Sequence, residues 1–108
     1  MTKSSLKSAS VDDLQAVAAC FRALGEVSRL QLIRTLQGGE KNVTDLARAT
    51  ALSQPNVSRH LAVLVGVGLI GRRKDGTNVL YRVVDERLAD ICEAVCHSMA
   101  RQLRGRRS

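Results

Sequence analysis

Aromatic residues are almost absent from this chain of 108 residues, which contains one Phe, one Tyr and no Trp. Leu, Val and Ala must therefore fill the hydrophobic core. The hydrophobic fraction of 44% supports a core, but a small one, and the length favours a single domain. A domain of this size leaves much apolar surface exposed, which a second copy of the chain can cover.

Long apolar runs are also missing. No segment approaches the length that spans a membrane, and none has the apolar stretch of a secretory signal peptide. We therefore expect a cytoplasmic protein with no membrane partner. Its three cysteines should then be reduced at rest, and their odd number argues against a framework made only of disulfides.

Acidic residues are scarce: 10 Asp and Glu stand against 17 Lys and Arg, which gives a net charge of +7 and a pI of about 10.2. The excess is uneven, because residues 41–82 hold seven basic and two acidic residues, whereas residues 85–100 hold one basic and four acidic residues. This distribution favours a nucleic-acid partner for the middle of the chain. With two His, no Gly-rich phosphate loop and no plausible triad, the sequence is not that of an enzyme.

The apolar periodicity predicts helices over 11–24, 28–37, 45–49, 54–65 and 85–103, and strands over 69–73 and 79–84. Asp75-Gly76 indicates a β-hairpin, and the four turn residues 75–78 predict a loop longer than the tightest two-residue type. This order, mainly α with one β-hairpin, is that of a winged helix-turn-helix. We expect the domain to cover residues 11–104, with a flexible N-terminal tail over 1–10 and a basic C-terminal tail over 105–108.

The helix after residue 53 has the pattern of a DNA-reading helix. Ser53 is a good N-cap, and Pro55 falls in the first turn, where a missing N–H costs nothing. Val57, Leu61 and Leu64 recur at helical spacing and form one apolar stripe. Arg59 points nearly opposite this stripe, and polar residues fill the flanks and outer face, as a helix in a DNA major groove requires: Gln54, Asn56, Ser58 and His60. A solvated polar face on an ordinary helix is the alternative interpretation.

Five segments of the chain resemble the arsenic-repressor (ArsR/SmtB) family of bacterial transcription factors. The matching segments are 21–30 (FRALGEVSRL), 44–47 (TDLA), 53–61 (SQPNVSRHL), 68–70 (GLI) and the wing over 72–82. The resemblance implies a homodimer held by the first and last helices, which binds operator DNA without an inducer and releases it when an inducer binds. The Cys-Val-Cys pair of the family's arsenic-sensing pattern is absent from residues 42–45. The family's zinc-sensing pattern uses Asp, His and Glu on the last helix. Here that helix has Asp90 and His97 but also places two cysteines on its apolar stripe.

Twelve residues are candidates for contact with double-stranded operator DNA through base edges, phosphates or the minor groove. They lie at the start of the third helix, on the reading helix and in the wing: Thr44, Ser53, Gln54, Asn56, Ser58, Arg59, His60, Arg72, Arg73, Lys74, Thr77 and Asn78. Thr44 is also a candidate N-cap of its helix. His60 either reaches a phosphate or closes a structural hydrogen bond.

Cys20, Cys92 and Cys96 are the candidate ligands of an inducing metal ion. Cys92 and Cys96 share one face of the last helix at i, i+4, and Cys20 meets them if the first and last helices pack together. Three thiolates without a fourth ligand suit As(III) or Sb(III), whereas zinc prefers four ligands. Thiol redox or reactive-sulfur sensing is an alternative, and so is a purely structural role as small buried side chains.

The sequence thus predicts a DNA-binding repressor that needs no cofactor to bind DNA and is released by a thiophilic ion. A non-regulatory DNA architectural protein is a competing class, because basic charge alone would serve it. A protein-interaction module with the same fold is another. Sequence selectivity and the salt dependence of DNA binding distinguish the three.

Overall fold

The computed structural model describes residues 5–107, and their order of elements confirms the predicted winged helix-turn-helix. After a short 3-10 helix over Leu6–Ser8, the elements are α1 (Val11–Leu24), α2 (Val27–Leu36), α3 (Val43–Thr50), α4 (Gln54–Gly66), β1 (Ile70–Asp75), β2 (Asn78–Val83) and α5 (Arg87–Arg107). No helix in this part of the chain is both long and apolar enough to span a membrane.

Both ends of α5 differ from the prediction. The helix begins at Arg87 rather than at residue 85, because the Asp85 carboxylate accepts a hydrogen bond from the Arg87 amide at 2.9 Å and so belongs to the turn before it. At the other end the helix continues through Arg107. Residues 105–107 of the predicted C-terminal tail are therefore helical, and Ser108 lies outside the described residues, as do residues 1–4 of the predicted N-terminal tail.

Side-chain caps fix where the first helices begin. Ser10 and Asp13 form a reciprocal capping box at α1, with hydrogen bonds of 3.1 and 3.0 Å. At α3 the predicted cap, Thr44, is wrong: Asn42 accepts the Asp45 amide at 2.8 Å and caps the helix, while Thr44 is the second residue of the helix. Asn ranks among the best N-cap residues, so the helix starts earlier than the apolar pattern indicated.

The core lies between α2, α3, α4 and the base of the hairpin. Its largest fully buried side chains are Leu32, Ile33, Leu46, Val57, Leu61, Leu64 and Ile70. The second helix of the helix-turn-helix is thus held on one side by three residues of its own apolar stripe. The first and last helices contribute little to this core, with Ala23 buried in α1 and Leu88 buried in α5.

The hairpin is tighter than the sequence predicted. Its antiparallel register runs from Ile70 opposite Val83 to Asp75 opposite Asn78, which leaves two loop residues, Gly76 and Thr77. Gly76 has φ +65°, and glycine at the first of two central positions is typical of a type II′ turn. The strands continue to this turn because a two-residue connection matches their twist, so the expected four-residue loop is wrong.

A third segment joins the sheet through the loop between α2 and α3. The Tyr81 amide donates to the Lys41 carbonyl at 2.9 Å, and the Lys41 amide donates to the Tyr81 carbonyl at 3.1 Å. Tyr81 is also buried at the edge of the core. The base of the wing is therefore attached to the helix-turn-helix by backbone bonds as well as by apolar packing.

Candidate nucleic-acid interface and cysteine groove

Helix α4 is anchored at its start and along one face, which leaves the opposite face free. The Ser53 hydroxyl accepts the Asn56 amide at 3.3 Å, and Pro55 lies in the first turn as predicted. Val57, Leu61 and Leu64 have no exposed surface. The orientation of the helix is therefore set by the core, so that its outer face can present fixed side chains to a ligand.

The outer face of α4 is polar and open to solvent. Gln54, Asn56, Ser58 and Arg59 are all exposed. The Arg59 guanidinium donates to the Asn56 side-chain oxygen at 2.9 Å, which orients both groups on the surface. Asn and Gln suit adenine edges, and Arg suits guanine edges or phosphates. These four residues therefore form the part of the predicted interface that best matches major-groove contact.

His60 lies on the inner side of α4, away from the other polar residues. Its side chain is 12% exposed, and its Nδ1 lies 3.4 Å from the Arg29 guanidinium and 3.7 Å from the Glu26 carboxylate. Glu26 caps α2 by accepting the Arg29 amide at 3.2 Å. Burial opposes ionisation of Glu26, but hydrogen bonds from the Ser28 and Arg29 amides lower its pKa overall. Of the two predicted roles for His60, these contacts favour the structural one.

The basic residues of the wing point in two directions. Arg72 and Lys74 alternate with Arg73 along β1, so they lie on the opposite face of the strand. Arg72, Lys74, Thr77 and Asn78 are exposed, as is Thr44 on α3.

Arg73 is held by an acidic residue from the loop between α2 and α3. Its guanidinium donates to both Glu40 carboxylate oxygens, at 2.8 and 2.9 Å. This pair lowers the pKa of Glu40 and raises that of Arg73. The sequence offered no sign of this contact because the two residues are 33 positions apart and the wing segment that contains Arg73 does not include Glu40.

The three cysteines are not together within one copy of the chain. The Cys20 thiol donates to the Val67 carbonyl at 3.6 Å, a weak bond that directs it toward the end of α4. Cys92 borders the core, where burial raises the pKa of its thiol, and Cys96 is exposed. Among residues 5–107 no three His, Cys, Asp or Glu side chains lie close enough to hold a metal ion.

Cys92 and Cys96 instead line an apolar groove of about 820 Å³ between α2 and α5. Phe21 and Leu30 form part of its other wall, and Met99 adds a third sulfur on the α5 side. Cys20 does not line this groove. Two of the three predicted thiol ligands therefore share a surface, as the i, i+4 spacing indicated, and the third faces another element.

The first and last helices carry uncovered apolar faces. On these two helices the large apolar side chains that are between 41% and 69% exposed are Val11, Leu14, Val17, Phe21, Ile91, Val95, Met99 and Leu103. Isolated exposed apolar residues are common, but a stripe along two helices indicates an interaction surface. These are the two helices through which the family resemblance implies a homodimer.

The chain is similar to known bacterial regulators along most of its length. A family model described as "Bacterial regulatory protein, arsR family" matches residues 26–71. A probable mercury resistance operon repressor from Streptomyces lividans is 39% identical over 68% of this chain and 59% of its own length. The transcriptional regulator NmtR from Mycobacterium tuberculosis is 37% identical over 76% of this chain and 69% of its own length. The chain thus spans less than two thirds of the first of these relatives.

A solved structure agrees with the fold. A homodimeric winged helix-turn-helix DNA-binding domain from Mycobacterium bovis, described as a possible ArsR-family transcriptional regulator, has a TM-score of 0.79 and 30% identity over 95% of this chain and 94% of its own. These relatives are transcriptional regulators rather than enzymes. The chain therefore belongs to the ArsR family of bacterial transcriptional regulators and has the winged helix-turn-helix fold of that family.

Proposed function

We propose that this protein is a transcriptional repressor that binds operator DNA as a homodimer in the cytoplasm. The observation that carries the proposal is the exposed polar face of α4, held rigidly by a cap and a buried stripe, beside a basic wing. Gln54, Asn56, Ser58 and Arg59 would contact base edges or phosphates in the major groove. The wing would contact the DNA backbone or the minor groove through Arg72, Lys74, Thr77 and Asn78. A phosphate would be contacted by Thr44 and by the exposed Ser53.

A second copy of the chain is the partner that best fits the apolar faces of α1 and α5. The Mycobacterium bovis domain of the same fold is homodimeric. Two-fold symmetry would present two reading helices to half-sites about 34–36 Å apart, one helical turn of DNA. No cofactor is needed for this step, because the contacts come from protein side chains alone.

The inducer we propose is a thiophilic metalloid or metal ion, with As(III) or Sb(III) as the first candidates. One relative is named as a mercury resistance operon repressor, which supports a soft ion in general and not a particular one. Cys92 and Cys96 would supply two thiolates from the groove. As(III) and Sb(III) favour three, and Cys20, from the same or the second copy, is the only other cysteine in the chain.

Cys20 also provides a route from the ion to the DNA. Its thiol bonds to the carbonyl of Val67, the C-cap residue of the reading helix. Moving this sulfur into an ion site would break that bond and shift α1 relative to α4. A coupling free energy of about 1–3 kcal/mol would lower operator affinity about 5–150-fold.

Binding to DNA is tested first, by selecting sequences from a random duplex library and measuring affinities by fluorescence anisotropy at several salt concentrations. A repressor prefers its selected site over random DNA by about 10³-fold or more. An architectural protein shows little preference, and an interaction module shows weak binding with a flat salt dependence. Either result would overturn the proposal.

The inducer is tested by titrating As(III), Sb(III), Hg(II), Zn(II) and an oxidant into the protein–DNA complex. The wild-type chain is compared with Cys20→Ser, Cys92→Ser and Cys96→Ser. A three-thiolate site predicts that each variant loses the response to As(III). If Cys20→Ser is the one single variant that still responds to Hg(II), the site holds Hg(II) with the two thiolates of Cys92 and Cys96, because Hg(II) accepts two ligands. Release by the oxidant alone supports redox sensing, and an unaltered response in the triple variant places the sensor elsewhere.

A further inference from the structure

We infer that Glu40 and Arg73 form a clamp that sets the position of the wing for DNA binding, so that Glu40 is a positioning residue and Arg73 is not a phosphate contact. The inference rests on the proposed DNA-binding function. It also assigns a role to Glu40, an acidic residue beside a surface that binds an anion. Such a residue opposes DNA binding by its charge and needs another reason to be there.

The geometry of the pair supports a clamp. Arg73 donates two hydrogen bonds to the two oxygens of Glu40, the fork arrangement that fixes both side chains. The side chains are 49% and 30% exposed, so the pair is partly shielded from solvent. Glu40 precedes Lys41, whose backbone pairs with Tyr81 of β2. The side-chain pair therefore spans the hairpin and ties β1 to a loop that already holds β2.

A glycine and a second arginine lie beside the clamp on the same face of the hairpin. Gly71 and Arg73 lie on the same face of β1, and Arg82 is directly opposite Gly71 on β2. A Cβ added at Gly71 would lie 3.3 Å from the Arg82 guanidinium, so the glycine lets Arg82 lie flat across the strand. Arg82 also acts on the Glu40 carboxylate electrostatically. Glu40 is thus matched by two cations at the base of the wing, while Arg72 and Lys74 on the other face keep their charges for DNA.

A neutral substitution at Glu40 changes operator affinity in one direction if Glu40 is only a negative charge near the DNA, and in the other direction if it clamps the wing. Glu40→Gln removes a negative charge near the DNA, so by charge alone it should tighten operator binding. The clamp predicts that it weakens binding instead, by about two- to fivefold per wing, the range of a well-formed exposed pair. Asp75→Asn at the wing tip is the matched control, since it removes the same charge, leaves both hydrogen bonds between Arg73 and Glu40 in place, acts on Arg73 only by a smaller electrostatic attraction than Glu40 does, and should tighten binding. Tighter binding by Glu40→Gln would refute the clamp.

Arg73 is tested by the salt dependence of the same affinities. If Arg73 only clamps, Arg73→Gln weakens binding somewhat more than Glu40→Gln does, because it also leaves the Glu40 charge unpaired, and it leaves the slope of log K against log salt unchanged. Removing Glu40 as well, in the double variant, should weaken binding no further. A phosphate contact would instead reduce the slope by about 0.9 per wing, as we expect for Arg72→Gln. The charge-swapped double variant Glu40→Arg/Arg73→Glu keeps the net charge and should recover binding relative to both single variants.

A measurement without DNA separates failure of the clamp from failure of the proposed function. The chain has one tyrosine and no tryptophan, so tyrosine fluorescence anisotropy reports only on Tyr81 at the base of the wing. Amide hydrogen exchange at Tyr81, whose N–H bonds to Lys41, reports on the same place. The clamp predicts about two- to fivefold faster exchange at this amide in Glu40→Gln and no change in Asp75→Asn. Unchanged exchange in Glu40→Gln would overturn the clamp even if operator binding behaves as proposed.

Discussion

Truncating Ile91 should weaken the proposed dimer without unfolding the chain. Ile91 lies on α5 with 52% of its surface exposed. Complete burial of an isoleucine side chain is worth about 1.5–3 kcal/mol, so covering the exposed half contributes about 1 kcal/mol. A two-fold dimer buries two copies, and Ile91→Ala should therefore cost about 2 kcal/mol, or about a 30-fold increase in the dimer dissociation constant.

Sedimentation equilibrium over a range of protein concentrations measures this constant directly. The control is Arg101→Ala, which truncates an exposed side chain two residues beyond Met99, on the opposite side of α5. It should leave the dissociation constant unchanged, and thermal unfolding of both variants should show that the monomer fold is retained. If Ile91→Ala dimerises as tightly as the wild-type chain, the copies do not meet through this face of α5, and the assignment of the dimer surface is wrong.

Four further predictions concern α4 and the start of α5. Leu61→Ala should lower the free energy of unfolding by about 2–5 kcal/mol in urea titrations, since Leu61 is fully buried, and a smaller loss than Ser58→Ala gives would contradict the packing. Ser53→Ala should cost about 0.5–2 kcal/mol in the same assay because it removes the cap, with Ser53→Asn as the variant that retains stability. His60→Ala should weaken operator binding with an unchanged salt slope, whereas a phosphate contact would reduce the slope. Hydrogen bonds from Arg87 lower the pKa of Asp85 to about 2, so its stabilising effect is present above its unfolded value of about 3.8 and is lost as the pH falls through 2; in carbon NMR titrations Arg87→Gln should return this pKa toward 3.8.

Local patterns in the sequence were sufficient for the parts of the fold that depend on local interactions. The stripe of Val57, Leu61 and Leu64 defined both the helix and its buried face, because side chains three and four residues apart meet on one side of a helix. Ser53 was recognised as a cap for the same reason, since its hydroxyl bonds three residues along the chain. The order of elements then followed, and with it the winged helix-turn-helix.

Errors arose where two signals overlapped or where partners lie far apart. Asn42 and Thr44 are both suitable caps before Asp45, and the apolar pattern alone could not choose between them. The contact between Glu40 and Arg73 depends on how the hairpin folds back on the loop after α2, which no local pattern encodes. One part of this contact does follow from the sequence, however. Successive side chains of a strand point to opposite faces of the sheet, so a strand over these residues places Arg73 and Arg72 on different faces.

Two contacts of the reading helix, one near its middle and one at its end, constrain how an inducer can act. Near its middle, His60 ties α4 to Arg29 and Glu26 at the start of α2, and at its end Val67 is bonded to Cys20 of α1. The first contact involves no thiol, so a thiophilic ion can leave it intact. The second is lost as soon as the Cys20 sulfur becomes an ion ligand. Release through cysteine chemistry should therefore change the end of α4 before its middle, and amide exchange should rise at residues 65–68 ahead of residue 60 when the ion is added. A rise that begins at residue 60 would indicate that the signal passes through α2 instead.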